Sequence, residues 1–145
     1  MRYPITVHRE KSGSCWLSFP DCPGVFTWAD SVDDAMSHAL DAWESMYMYV
    51  LGTDDLVPLP TPVKRRQKWL DVPPSIAAKV LLHNEMVKQK VRPNDLARRM
   101  GIPQEKLMRV LSLKYKTKIE TVAEALNALG KHFELRLIQL SSGGR

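Results

Sequence analysis

The stretch Pro93-Asn94-Asp95-Leu96-Ala97-Arg98-Arg99-Met100-Gly101-Ile102-Pro103-Gln104-Glu105-Lys106-Leu107-Met108-Arg109-Val110-Leu111-Ser112 decides the fold of the C-terminal half. Leu96, Ala97, Met100, Gly101, Ile102, Leu107 and Val110 stand at the spacing of a helix-turn-helix. Ala97 is small where a second helix crosses close above it, and Gly101 falls where the chain needs a positive φ between helices. Leu96, Met100, Ile102, Leu107 and Val110 then bury the inner faces, and Pro103 opens the second helix, where its missing N–H costs nothing. An ordinary helical hairpin imitates this spacing, so charge must separate the two readings.

The start of the second helix enters the major groove in such motifs, which leaves Gln104, Glu105, Met108 and Arg109 to face base edges. Gln suits adenine and Arg suits guanine, each by a bidentate bond. Lys106, Lys114, Lys116 and Lys118 are better suited to phosphate, although each could instead only solvate its surface.

Downstream, Thr117-Lys118-Ile119-Glu120 has the form of a capping box for a helix through Val122, Ala123, Leu126 and Leu129 that stops at Gly130. Residues 132–140 then alternate, with Phe133, Leu135 and Leu137 on one side, and predict a terminal strand. Such a strand needs a partner. A second copy of the chain supplies one most economically and makes a two-fold homodimer for half-sites about one DNA turn apart.

Upstream, Pro73-Pro74 opens a helix whose apolar stripe of Ile76, Ala77, Val80, Leu81 and Val87 runs to about Lys90. Before it, Leu56-Val57-Pro58-Leu59-Pro60-Thr61-Pro62 blocks helix and favours an extended, semi-rigid connection. The basic cluster Lys64 to Lys68 either touches nucleic acid or merely flanks that connection, and Trp69 to Val72 offers a returning strand for the N-terminal sheet.

That sheet is expected from Tyr3 to His8, Cys15 to Phe19 and Val25 to Trp28, separated by polar and Pro-Gly turns. Ser31 caps one long helix with Asp34 three residues on. Apolar positions run from Val32 through Trp43 to Val50, and Gly52 is expected to end the helix in a left-handed cap. Trp16, Trp28 and Trp43 are assigned to the core, though any one left on the sheet surface would make an interface anchor. His8 and His38 stand alone and read as structural.

Of 145 residues, 44% are hydrophobic and 26% charged, which excludes wholesale disorder. No apolar run approaches the roughly 18 residues that span a bilayer, and no leader pattern opens the chain, so a cytoplasmic place is expected. Cys15 and Cys22 make no disulfide framework and no zinc site, and read as reduced. The net charge of +5 conceals a split: residues 1–60 carry 3 Lys and Arg against 9 Asp and Glu, and residues 61–145 carry 18 against 7. The two parts therefore suit partners of opposite sign, phosphate for the second and a cationic surface for the first.

Taken together, Met1 to Pro4, Phe19-Pro20-Asp21-Cys22-Pro23-Gly24-Val25, the helix opened by Ser31, Leu56-Val57-Pro58-Leu59-Pro60 and the final helix-turn-helix resemble the HicB antitoxins of HicAB toxin-antitoxin modules. Nearly the whole chain takes part in the resemblance. It implies an α+β protein: a partial ribonuclease H-like βββα(β) domain over 1–62, with a returning strand at 68–72 as an option. A linker over 63–72 and an all-α helix-turn-helix and dimerisation domain over 73–145 follow. It implies no enzymatic activity, no catalytic residue and no cofactor or metal. The N-terminal domain would mask the active site of a HicA-like basic, mRNA-cleaving toxin, with Asp21, Asp30, Asp33, Asp34 and Trp28 as candidate contacts. The C-terminal domain would repress the operon by binding its operator DNA. Some relatives carry a ribbon-helix-helix instead, and Leu96-Ala97 to Gly101-Ile102 matches the other branch.

Two further readings compete. A ribonuclease H-like nuclease needs clustered carboxylates for its metal ions, and the first two predicted strands contain none. A ligand-sensing transcription factor would need no basic protein partner.

Overall fold

Runs of β-branched and aromatic residues in the first thirty positions, parted by turns, produce three antiparallel strands, β1 (Arg2–Arg9), β2 (Cys15–Ser18) and β3 (Phe26–Ala29). The returning segment forms β4 (Lys68–Asp71), which pairs with the start of β1 and completes a sheet of order β3-β2-β1-β4. The computed structural model describes residues 1–140. Six helices accompany the sheet: α1 (Val32–Ser37), α2 (Ala39–Leu51), α3 (Pro74–Gln89), α4 (Pro93–Met100), α5 (Gln104–Leu111) and α6 (Ile119–Ala128). The protein is thus a mixed α+β chain. No helix among the described residues is long and apolar enough to cross a membrane.

Two compact units emerge: residues 1–46 with 58–72 and 138–140, and residues 47–57 with 73–137. In the first, Tyr3 and Ile5 of β1 and Cys15 and Leu17 of β2 are buried at alternate positions beneath Ala35, Ala39 and Trp43 of α1 and α2. The Tyr3 and Trp43 rings lie 5.4 Å apart. Cys22 is buried and unpaired, as is Cys15. The proline-rich segment is fixed here at two points. Tyr3 donates its hydroxyl to the Pro58 carbonyl at 2.6 Å, and one Asp21 carboxylate oxygen accepts from both the Thr61 amide and hydroxyl.

The second unit has a core of Leu82, Met86, Leu96, Ala97, Leu107, Val110, Leu111, Val122, Ala125 and Leu126, with Met100, Ile102 and Phe133 packed on its margin. Pro74 stands in the first turn of α3, as expected. Buried Asn84 satisfies both backbone groups of Val57, accepting from its N–H at 2.8 Å and donating to its carbonyl at 3.0 Å. Unbonded, those buried groups would each cost about 1–3 kcal/mol.

Several expectations need correction. The helix opened by Ser31 is capped as expected, the Asp34 amide donating to Ser31 Oγ, but it breaks at His38 into α1 and α2. Ser37 Oγ donates back to the Asp34 carbonyl at 2.6 Å, and the His38 amide bonds three residues back rather than four, which tightens and ends the turn. Gly52 is not left-handed; the helix closes through Gly52 to Tyr49 and Thr53 to Val50 bonds instead. Lys118, not Thr117, is the N-cap of α6, and no side chain caps it, so the capping box is not formed. Trp43 is fully buried, whereas Trp28 is 53% exposed and Trp16 partly so. Residues 131–140 form no strand, contrary to the expectation: a strand persists only where its backbone groups are paired, and no ladder to this segment is formed among the described residues. Residues 141–145 of the expected C-terminal domain lie outside the described residues.

Candidate nucleic-acid and partner-binding surfaces

The turn between α4 and α5 is built as its residues demand. Gly101 takes φ +68° and ends α4, with its amide on the Arg98 carbonyl and the Ile102 amide on the Ala97 carbonyl. Pro103 is the N-cap of α5. Leu96, Ala97, Leu107 and Val110 are buried, and Met100 and Ile102 lie partly against the same core. Every candidate contact position of α5 is left outside: Gln104, Glu105, Lys106, Met108 and Arg109 are all exposed. Gln104, Glu105, Met108 and Arg109 line one open depression with Lys114 and Tyr115, bordered by Met48 and Leu51.

Lys114, Lys116 and Lys118 are exposed in the segment between α5 and α6. Among the described residues none of these three, nor Lys106 or Arg109, forms an ion pair. Sequence reasoning passed over Arg98 and Arg99, exposed in the last turn of α4, although the dibasic pair was visible; Arg98 is tied to Asp95 at 3.3 Å. It also passed over Lys79, which is buried on α3 and whose amine donates to the carbonyls of Ser112 at 2.6 Å and Tyr115 at 2.8 Å. The stripe expected on α3 left it out; the buried face runs instead through Ala78, Lys79, Leu82 and Met86, and Leu81 is 38% exposed.

On the sheet, the face opposite the helices carries an aromatic cluster. Trp16 stacks on His8 at 3.6 Å between ring centroids and on Trp28 at 5.5 Å, and meets Phe26 edge-on at 6.4 Å. Glu10 accepts from the Trp16 indole at 3.0 Å, and Ser18 Oγ lies 2.9 Å from His8 Nε2. Phe26 and Trp28 are each more than half exposed. The period of two would have placed Phe26 on the same face as Trp28, whereas Trp16 joins them only through the pairing of β2 with β3. Large aromatics left half-uncovered on a sheet are typical anchors for a protein partner.

Of the other candidate contacts, Asp30, Asp33 and Asp34 are exposed at the start of α1, whereas Asp21 is partly buried and holds Thr61. Phe133 is partly buried in the helical core, and Leu135 and Leu137 are 85% and 100% exposed. The charge split is softer between units than between halves. The first unit to residue 72 has 7 Lys and Arg against 8 Asp and Glu, net −1; residues 47–57 with 73–137 have 13 against 8, net +5. The cause is local. The Lys64 to Lys68 cluster forms the turn into β4, closed by the Gln67 amide on the Lys64 carbonyl, and Asp54 and Asp55 belong with the second unit. No group of three or more His, Cys, Asp or Glu among the described residues is placed to hold a metal ion.

Residues 3–110 match the family described as HicB_like antitoxin of bacterial toxin-antitoxin system. The chain is 40% identical over 136 residues to Antitoxin HicB 2 of Photorhabdus laumondii, covering 93% of this chain and 95% of that one. It is 36% identical over 138 residues to Antitoxin HicB of Escherichia coli, covering 95% and 100%. Antitoxin HicB of Pseudomonas fluorescens is 34% identical over 137 residues, covering 92% and 91%.

Proposed function

The chain belongs to the HicB-like antitoxin family of bacterial toxin-antitoxin systems, and from that premise we propose that it neutralises a HicA-like, mRNA-cleaving toxin and represses its own operon. It is a cytoplasmic binding protein, not an enzyme. The N-terminal sheet and its helices form a partial ribonuclease H-like domain that covers the toxin's active site. Asp30, Asp33 and Asp34 attract the basic toxin, and the exposed ring of Trp28 gives it a place to pack. Asp21 shapes the neighbouring segment instead.

Helices α4 and α5 act as a helix-turn-helix on operator DNA, with Gln104, Glu105, Met108 and Arg109 at base edges and Lys106, Lys114, Lys116 and Lys118 on phosphates. The observation that carries this reading is the sorting on α5: Leu107, Val110 and Leu111 are buried and every polar candidate is exposed. A homodimer, joined through Leu135 and Leu137 rather than through Phe133, which packs on the helical core, would match two half-sites.

Coexpression tests the antitoxin role. The gene for a basic protein of about 60 residues beside this one should arrest growth alone, and this chain should restore growth and copurify with that protein. Growth arrest that persists with both proteins abundant would sink the reading. Gel-shift titration of the purified chain against its own promoter tests repression, and retention no tighter than that of an unrelated duplex would remove that half.

A further inference from the structure

The residues between α5 and α6 form neither helix nor strand, yet they carry Lys114, Lys116 and Lys118. A loose segment would scatter these cations and would lose conformational entropy each time they met a phosphate. Lys79 acts against that scatter. Only 2% of it is exposed, and its amine donates to Ser112 and Tyr115 carbonyls on either side of Lys114. Ser112 is the C-cap of α5, so the ammonium also sits at the negative end of that helix dipole. The Tyr47 hydroxyl donates to the adjoining Leu111 carbonyl at 2.9 Å.

No carboxylate pairs with Lys79 among the described residues. Burial pulls its pKa below the usual lysine value, as expected for an ammonium taken out of water without a counter-ion. Its neighbours on α3, Ala78, Val80 and Leu82, are apolar and equally buried. A core position filled by a costly cation calls for a reason beyond packing, and the two carbonyls supply it.

We infer that Lys79 is a positioning residue for DNA binding: it locks the segment after α5 so that Lys114, which lines one depression with the base-reading Arg109, and Lys116 stand ready as phosphate contacts. The inference rests on the operator-binding reading above. Within that reading, Lys79 acts through the backbone and touches no phosphate itself.

The test uses the full chain and a duplex carrying its own promoter, titrated over a range of salt. Lys79→Met should keep its helical signal, bind about tenfold more weakly at low salt, and show a salt slope shallower by about 1 to 2, since each phosphate contact contributes about 0.9. Lys79→Arg, which keeps the charge and the donors, should recover most of that slope. Amide exchange in residues 113–118 should quicken in the Met variant while α4 and α6 keep their protection. A folded Met variant with the parent's affinity, slope and exchange overturns the inference. If Lys79→Met does not fold, Lys79→Gln is held to the same criteria. A parent chain that fails to bind the duplex sinks the operator reading itself, whereas a parent that binds while the variant binds equally well sinks only the role of Lys79.

Discussion

Two helices close on a residue in the left-handed region, α4 at Gly101 (φ +68°) and α3 at Lys90 (φ +57°). Only glycine enters that region without a Cβ penalty. A Cβ added to Gly101 would meet nothing within 4 Å, so the cost of Gly101→Ala is purely conformational, about 1 kcal/mol. Lys90→Gly should act in the opposite sense, stabilising by about 0.5 kcal/mol after the added freedom of the unfolded chain is counted. Urea unfolding followed by far-UV circular dichroism checks both signs, because α3 to α6 supply most of the helix. A second residue-scale effect concerns pH. Burial, helped by the nearby Asp21 charge, pushes the Cys22 thiol from 9.0 up to about 12. The folded state therefore holds that proton to higher pH than the unfolded chain does. The stability this contributes is complete below pH 9 and is lost as pH rises from 9 towards 12. Between pH 9 and 10 the loss should be about 1 kcal/mol, before Tyr3, whose pKa burial also raises from 10.0, adds to it. All four tryptophans lie in the first unit, so their fluorescence in urea reads this loss. Cys22→Ala should flatten it, and an unchanged pH dependence would show that the thiol is not its source.

On α5 and in the segment that follows it, two substitutions separate positioning on the backbone from reading of bases. Arg109→Ala should cost about 1–3 kcal/mol on the operator and relax its sequence preference, whereas Lys116→Ala should weaken all duplexes alike and make the salt slope shallower by about 1. Competition titrations with operator and scrambled duplex distinguish them, and equal losses on both duplexes for Arg109→Ala would remove it from base contact. Helices α4 and α5 were legible because spacing, a glycine needing positive φ and a proline at the helix start all point to one geometry. The returning strand was legible from the β-forming run Trp69-Leu70-Asp71-Val72. The break at His38 was not, since the apolar stripe Val32, Ala35, Met36, Ala39, Leu40 and Trp43 continues through it and the cause is a local bond from Ser37. Thr117 misled for the same kind of reason: the motif letters are present, but α6 starts one residue later than a capping box needs. The aromatic cluster was half legible. Phe26 and Trp28 share a face by their spacing on β3, while Trp16 becomes their neighbour only through its pairing with Trp28.

Across the whole molecule, charge counted along the chain exaggerates the contrast between the parts, because the basic turn into β4 returns to an otherwise acidic unit. Attraction to a cationic partner then depends on where carboxylates cluster, at Asp30, Asp33 and Asp34, more than on the net charge of the unit. The tail poses the corresponding question for assembly. Leu135, Leu137 and Ile138 are 85%, 100% and 54% exposed, and apolar side chains so placed in sequence are costly to leave in water. An alternating segment that joins no ladder among the described residues can satisfy both its backbone and its leucines by pairing with the same segment of a second copy. Removal of residues 132–145 should therefore convert a dimer to a monomer in light scattering. Operator affinity should fall with it, because two half-sites joined on one protein bind far more tightly than either alone. A shortened chain that still scatters as a dimer would place the two-fold contact elsewhere. A full chain that is monomeric at micromolar concentration would leave the tail to cover some other partner.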